Sequence, residues 1–304
     1  MVENKYVRFD WAVKRMLRDK ANFGVLEGLI TVLLGEKTQI VEILESESDQ
    51  EQEDDKFNRV DIKAKNAAGD IILVEVQLTR QLYYLERILY GVTKTLTEHI
   101  KLGSLYKEVK KVYHISIVYF DLGRGSDYLY HGQTRFIGVH TNDELLVSTK
   151  EQDVIHMKTP AQVFPEYFII RVNEFNAVAK TPLEEWLDYL KNGHIKDDTQ
   201  TPGLSEARKK LQVMTMTPSE RVAYDRHLDA IMVQEDVLTT AKMEGHAEGR
   251  AEGRAEGRAE GLKEGRTEGL LDTARRMKSD GVPAELIEKY TGLSAEDIEK
   301  LYRP

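Results

Sequence analysis

From Val7 to Leu34 apolar residues recur at helical spacing, with Val7, Trp11 and Leu17 followed by Val25, Leu26, Leu29, Ile30, Leu33 and Leu34. Steps of three and four predict two helices, broken around Asn22 to Gly24 and stopped at Gly35. TQIVEILE reads as a strand that runs into ESESDQEQEDD, where acids crowd nearly every second position and predict a solvated loop of repelling charges. RVDIKAKN then alternates, with Val60, Ile62 and Ala64 on one face and Asp61, Lys63 and Lys65 on the other. AAGD turns the chain into IILVEVQL, which is apolar on both faces except for Glu75 and Gln77. A strand buried on both sides does not carry a carboxylate for packing, so Glu75 points to chemistry.

Next, TRQLYYLERILYGVTKTLTEHIKLG predicts a long amphipathic helix with Leu82, Leu85, Leu89, Val92, Leu96 and Ile100 as core positions and Gly103 as its end. KVYHISIVYF, RFIGVH and EYFIIRVN are strand candidates, and helical patterns return at Leu183 to Leu190, Ser205 to Val213 and from Ser219 onward, with KNGHIKDDTQTPG as a polar linker. Helix, strand, hairpin, helix and strand in that order predict an α/β core over residues 1–175 and a helical extension over 176–242.

Residues 243–270 place a glycine at every fourth position from Gly245 to Gly269. Each glycine costs an isolated helix about 1 kcal/mol against alanine. Glu248, Glu252, Glu256 and Glu260 fall in one row and Arg250, Arg254 and Arg258 in another, so like charges face each other at i+4. Two readings follow. One is a flexible linker. The other is a helical tail whose glycine row admits a second copy while the charged rows pair between chains, winding in the right-handed sense because four exceeds 3.6. Residues 271–304 predict a small helical module with a turn at Gly281 to Pro283 and Ser294 as an N-cap. Its spacing suggests a helix-turn-helix, but Glu285, Glu288, Glu296 and Glu299 argue for a protein contact over a major-groove reader.

Composition narrows the chemistry. The 304 residues include no cysteine, which excludes disulfides, thiolate-bound zinc and thiol nucleophiles. No His-x-x-x-His pair occurs among the eight histidines, which argues against a zinc site built on histidine. A charged N-terminus and the absence of an 18-residue apolar run predict a cytoplasmic protein without a membrane span. The net charge of −9 argues against wrapping nucleic acid by bulk charge, so phosphate contacts have to be local or mediated by metal.

The hairpin makes a geometric statement. With Ala67, Ala68 and Gly69 as its loop, residues whose numbers sum to 136 lie opposite one another, and Asp61 faces Glu75 with β-carbons about 5 Å apart. Two carboxylates that close repel unless a hard cation lies between them. Magnesium suits the pair, with the Val76 carbonyl as a further ligand and Gln77 orienting a water for in-line attack on a phosphodiester.

The RVDI…G…VEVQ hairpin, the Asp10-x-x-x-Lys14 helix, the YYLERILY helix and the Glu-Gly repeats together resemble the PD-(D/E)XK nuclease superfamily, in its transposase-like, recombination-promoting branch. The resemblance implies a restriction-endonuclease-like core with a mixed central sheet flanked by helices. It also implies a magnesium-dependent (or other divalent-cation-dependent) DNA endonuclease with no small-molecule cofactor. Matched position by position, Asp61 and Glu75 are the metal-binding acids, and Gln77 stands where the superfamily usually has lysine. Asp10 and Lys14 fall on the opening helix motif. A glutamine supplies no positive charge, so Lys63, Lys14 or Arg87 has to; Lys63 and Arg87 are the expected nucleic-acid contacts, and Arg87 and Tyr90 lie on a helix that can face phosphate. The alternative is a catalytically inactive nucleic-acid or protein-binding subunit that keeps the fold.

Overall fold

The computed structural model describes residues 6–44, 60–100, 105–151, 154–294 and 296–298, which divide into one unit ending at Asp225 and another starting at Arg226. The first unit opens with α1 (Phe9–Arg15) and α2 (Phe23–Leu34), separated by a 3-10 turn over Lys20–Asn22. Asp19 accepts the Ala21 N–H at that turn, and Gly35 closes α2 at φ 71°, a left-handed conformation that suits glycine. Gly35 stops α2 where it is predicted to, but the first break falls earlier than Asn22 to Gly24: α1 ends at Arg15, and Phe23 and Gly24 already belong to α2.

Strands β1 (Ile40–Leu44), β2 (Ile62–Asn66) and β3 (Ile71–Gln77) form an antiparallel meander. The acidic run between β1 and β2 lies outside the described residues. Helix α3 (Tyr84–Glu98) crosses over to β4 (Val112–Val118), which pairs parallel with β3. After β4 come β5 (Leu129–Gly132), the hairpin of β6 (Val147–Glu151) with β7 (Val154–Lys158), and β8 (Glu166–Arg171). Among the described residues the main sheet has the order β1-β2-β3-β4-β8-β5, parallel from β3 through β8 and antiparallel at both edges. RFIGVH, a strand candidate by sequence, forms only a single bridge from Ile137 to Glu144. Phe136, Ile137 and Val139 stay exposed, so there is no sheet face there for an apolar run to cover.

Every residue of β4 is buried, as is β3 up to Val76, because helices lie on both sides of these central strands. Ile71 and Leu73 pack with Val92 and Val112, while Tyr84 and Ile88 pack on Val118. Helix α3 therefore departs from its predicted core positions. Val92 is buried, but Leu82, Leu85 and Leu89 are exposed, and the inward stripe is Tyr84, Ile88, Gly91, Val92 and Thr95. The leucine spacing fits a helical face equally well. What selects the other stripe is Tyr84 and Ile88 seating on Val118 of β4.

The extension over residues 176–225 packs into the same unit. It contains α4 (Pro182–Asn192), which Thr181 and Glu184 start with a capping box, and α5 (Leu204–Lys210). Gly28 of α2 meets the backbone at Gly203 so closely that a β-carbon on Gly28 would sit 2.2 Å from the Gly203 nitrogen. Trp186 stacks edge-on to Phe9 and donates to the Pro202 carbonyl at 3.0 Å, and the Tyr189 hydroxyl donates to the Val7 carbonyl at 2.7 Å.

The second unit holds α6 (Pro218–Ser279) from Arg226 onward and α7 (Ala284–Thr291). The glycine repeat is helical throughout, not a linker, as part of a single helix of 62 residues. Helix propagation from well-formed flanks tolerates residues that could not nucleate one. A β-carbon on any of the seven repeat glycines would meet nothing within 4 Å. Ala274, Ile287, Leu293 and Ile298 form a small core at the end of the unit, and Ser294 accepts the Asp297 N–H. Among the described residues no helix is long and apolar enough to cross a membrane.

Candidate active site

The turn between β2 and β3 sets the register. Asn66 donates to the Asp70 carbonyl and Gly69 to the Asn66 carbonyl, both at 3.0 Å, with Gly69 at φ 85°. Ile62 then pairs with Val74 and Lys63 with Leu73, and the same register carried one residue past β2 sets Asp61 across from Glu75.

Asp61 is held by its neighbours on both sides. Its carboxylate accepts the Val76 N–H at 2.7 Å, and its carbonyl accepts two bonds from the Arg18 guanidinium at 3.1 and 2.7 Å. The Gln77 carbonyl takes the Tyr119 N–H within the β3–β4 ladder, so strand alternation turns the Val76 N–H and carbonyl away from β4 and toward Asp61. Burial pushes the Asp61 carboxyl up from its ordinary 3.8, and the nearby Glu75 charge adds to the rise. The Val76 N–H, Lys14 and Arg18 oppose it.

Glu75 is 2% exposed and would be driven the same way by burial, but its partners win. His114 Nε2 lies 3.6 Å from one carboxylate oxygen, while Arg87 at 2.5 Å and the Gln77 amide at 2.6 Å reach the other. Together they hold its carboxyl below the ordinary 4.5. His114 is steadied from behind by Ser116, 3.2 Å from its other ring nitrogen. The hairpin thus sets two carboxylates near one another with their proton affinities pushed in opposite directions, a pattern typical of acid–base and metal chemistry. The buried Tyr84 hydroxyl faces the same group. Burial and the charge of Glu75 raise its pKa, and although Ser116 is beside it, no hydrogen bond of full geometry is formed.

The other sequence-predicted residues separate into those near this pair and those elsewhere. Lys14 is exposed on α1 and its charge acts on Asp61. Arg87 reaches Glu75 and also bonds Gln81. Lys63, which pairs with Leu73 two residues before Glu75, is buried and taken up by Glu98 of α3 at 2.6 Å. Asp10 is fully buried, bonded to Arg8 at 2.9 Å, and its charge acts on Tyr119, Tyr189 and Tyr224. Tyr90 is half-buried on α3. Sequence reasoning missed Arg18, Tyr84, His114 and Ser116. The last two carried a usable signal, being polar residues two apart in an otherwise apolar buried strand, which is the argument that singled out Glu75. Nothing local marks Arg18 or Tyr84.

Asp61, Glu75 and the Val76 carbonyl could hold a divalent cation. The donor set fits magnesium, which takes one or two carboxylates and keeps several waters. Among the described residues no group of three or more His, Asp or Glu side chains converges as ligands, so a cation here would rest on the two carboxylates, the carbonyl and waters.

No curated protein and no solved structure shows significant similarity to this chain. A family model described as PD-(D/E)XK nuclease family transposase does match, over residues 7–241, which takes in the hairpin, α3 and the parallel strands beside them. With its mixed six-stranded sheet flanked by helices, the chain belongs to the PD-(D/E)XK nuclease family of transposases.

Proposed function

We propose that the protein is a magnesium-dependent DNA endonuclease that hydrolyses phosphodiester bonds in recombination or transposition. The observation that carries this reading is the opposed pair Asp61 and Glu75, with one carboxyl pushed up and the other held down. Asp61, Glu75 and the Val76 carbonyl would hold the cation. When bound, it activates water and offsets charge building on the phosphate. Gln77 orients water through its amide. Arg87 and Lys14 supply the positive charge that a lysine provides elsewhere in the superfamily, and Lys63, held by Glu98, stiffens the hairpin.

Assembly through α6 belongs to the same proposal. From Glu248 to Glu264 the acidic and basic side chains form no ion pair or hydrogen bond among the described residues, which leaves them available to a second copy. A second reading, a non-catalytic binding subunit, is favoured by one contact, the Arg87 guanidinium seated on Glu75 where a cation would otherwise balance the charge.

Plasmid cleavage by the wild type, Asp61→Asn and Glu75→Ala, each with magnesium and with EDTA, separates the two. The nuclease reading expects metal-dependent nicking lost in both variants. Activity should also fall with pH as Asp61 takes up its proton, above the ordinary aspartate range. Cleavage that persists in both variants, or none with any divalent metal, leaves the binding subunit.

A further inference from the structure

Between Gln77 at the end of β3 and Tyr84 at the start of α3 lies a six-residue connection that leaves the candidate site directly. It ends on a conformation that a bulky side chain seldom adopts. Tyr83 sits at φ 63° and ψ 35°, with no side-chain cap for the helix that follows. That backbone turn sends two consecutive tyrosines in opposite directions. Tyr84 is 2% exposed, edge-on to Phe120 at 5.7 Å, with its hydroxyl near Glu75. Tyr83 is 77% exposed and Leu82 78% exposed.

A two-residue apolar tip on a strained turn has a cost in water and in backbone energy, and the core gains nothing from it. Its surroundings indicate what it meets. Arg80, three residues earlier, is exposed and has no ion pair or hydrogen bond among the described residues. Arg87, one turn into α3, closes the helix by donating its N–H to the Tyr83 carbonyl at 3.1 Å and extends its side chain to Glu75. An exposed aromatic ring in a segment flanked in sequence by Arg80 and Arg87, on the connection that leaves the two carboxylates, matches the chemistry of a nucleic acid, with a phosphate for Arg80 and a base for the ring.

We propose that Leu82 and Tyr83 form a wedge that stacks on a base next to the scissile phosphate, holding the strand open at the site. This rests on the nuclease reading above and adds the residue that deforms the substrate. The left-handed backbone at Tyr83 aims the ring outward while Tyr84 anchors the turn.

The test uses the full-length protein in EDTA, so that no cleavage intervenes. Binding of a DNA duplex carrying 2-aminopurine is followed by anisotropy and by the probe's emission for the wild type, Tyr83→Gly and Tyr83→Phe. Glycine suits the left-handed position, so Tyr83→Gly is expected to melt no lower than the wild type. If it does melt lower, Tyr83→Asn makes the same comparison. The expected result is wild-type affinity and an unstacking signal in Tyr83→Phe. In Tyr83→Gly, affinity falls about five- to 150-fold, the range for losing one stacked base, and the emission change is lost. Wild-type affinity and emission in Tyr83→Gly overturn the wedge while leaving the nuclease reading intact. So does a change in oligomeric size by light scattering with DNA binding unaltered, which would make the tip a protein contact. A wild type that binds no DNA, either in EDTA or with a divalent cation present, overturns the nuclease reading and the wedge together.

Discussion

Replacing Glu75 by glutamine removes one charge at nearly constant shape, and the structure predicts both the sign and the size of the effect. Burial alone would make the substitution stabilising, since a 2% exposed carboxylate is costly to keep ionised. Losing the charge also relieves its repulsion of Asp61, a weaker influence there than burial or the Val76 hydrogen bond. Against these stand the Arg87 contact at 2.5 Å, the Gln77 bond at 2.6 Å and His114 at 3.6 Å. Hydrogen bonds to a charged group contribute about 1.5–3 kcal/mol each when the group is desolvated, and less where the partner is partly wet, as Arg87 is. Because these partners hold the carboxyl below its ordinary value, the net sign is set by them, and Glu75→Gln should lose about 1–3 kcal/mol at neutral pH. For a unit of this size that is about 2–4 °C of melting temperature per kcal/mol.

The pH dependence gives a sharper test. A carboxyl lowered in the fold contributes stability above its unfolded value, near 4.5, and loses that contribution as pH falls through the lower folded value. Urea melts of both proteins between pH 7 and pH 3 should therefore show a gap that is constant at the upper end and closes below about pH 4.5. A variant as stable as the wild type at pH 7, or a gap that widens on acidification, would refute the view that Arg87, Gln77 and His114 outweigh the cost of burying the charge.

Two further substitutions test packing. Gly28→Ala puts a β-carbon 2.2 Å from backbone nitrogen at Gly203, which no side-chain rotation relieves. It should lower stability by about 1–3 kcal/mol or more, read from the urea midpoint. Gly253→Ala places its methyl in open space on α6, so it should raise helix stability by about 1 kcal/mol. Circular dichroism melts and sedimentation check this. Lower stability or a smaller assembly would instead mark Gly253 as a site where a second chain approaches.

Patterns with one physical solution were legible in the sequence. Alternation in RVDIKAKN, the AAG turn and the double-sided apolar run that follows leave a single register for the hairpin, because a slip by one residue would send Asp61 and Glu75 to opposite faces of the sheet. That register is what brings Asp61 and Glu75 together. Helix ends at Gly35 and strand limits near Gln77 were legible for the same reason, since they follow from local backbone rules. Which face of α3 turns inward was not. Leu82, Leu85 and Leu89 make as good a stripe as Tyr84, Ile88 and Val92, and only the seat offered by Val118 and Phe120 decides between them. The partners of Glu75 were hidden likewise, because Arg87, His114 and Gln77 come from different elements and meet only when α3 and β4 close over β3. The sequence by itself determined the hairpin and its two carboxylates through strand periodicity. Tertiary structure decided the opposite directions in which their proton affinities shift, the burial of Lys63 against Glu98 and the outward turn of Tyr83, because burial and charge depend on neighbours distant in the chain.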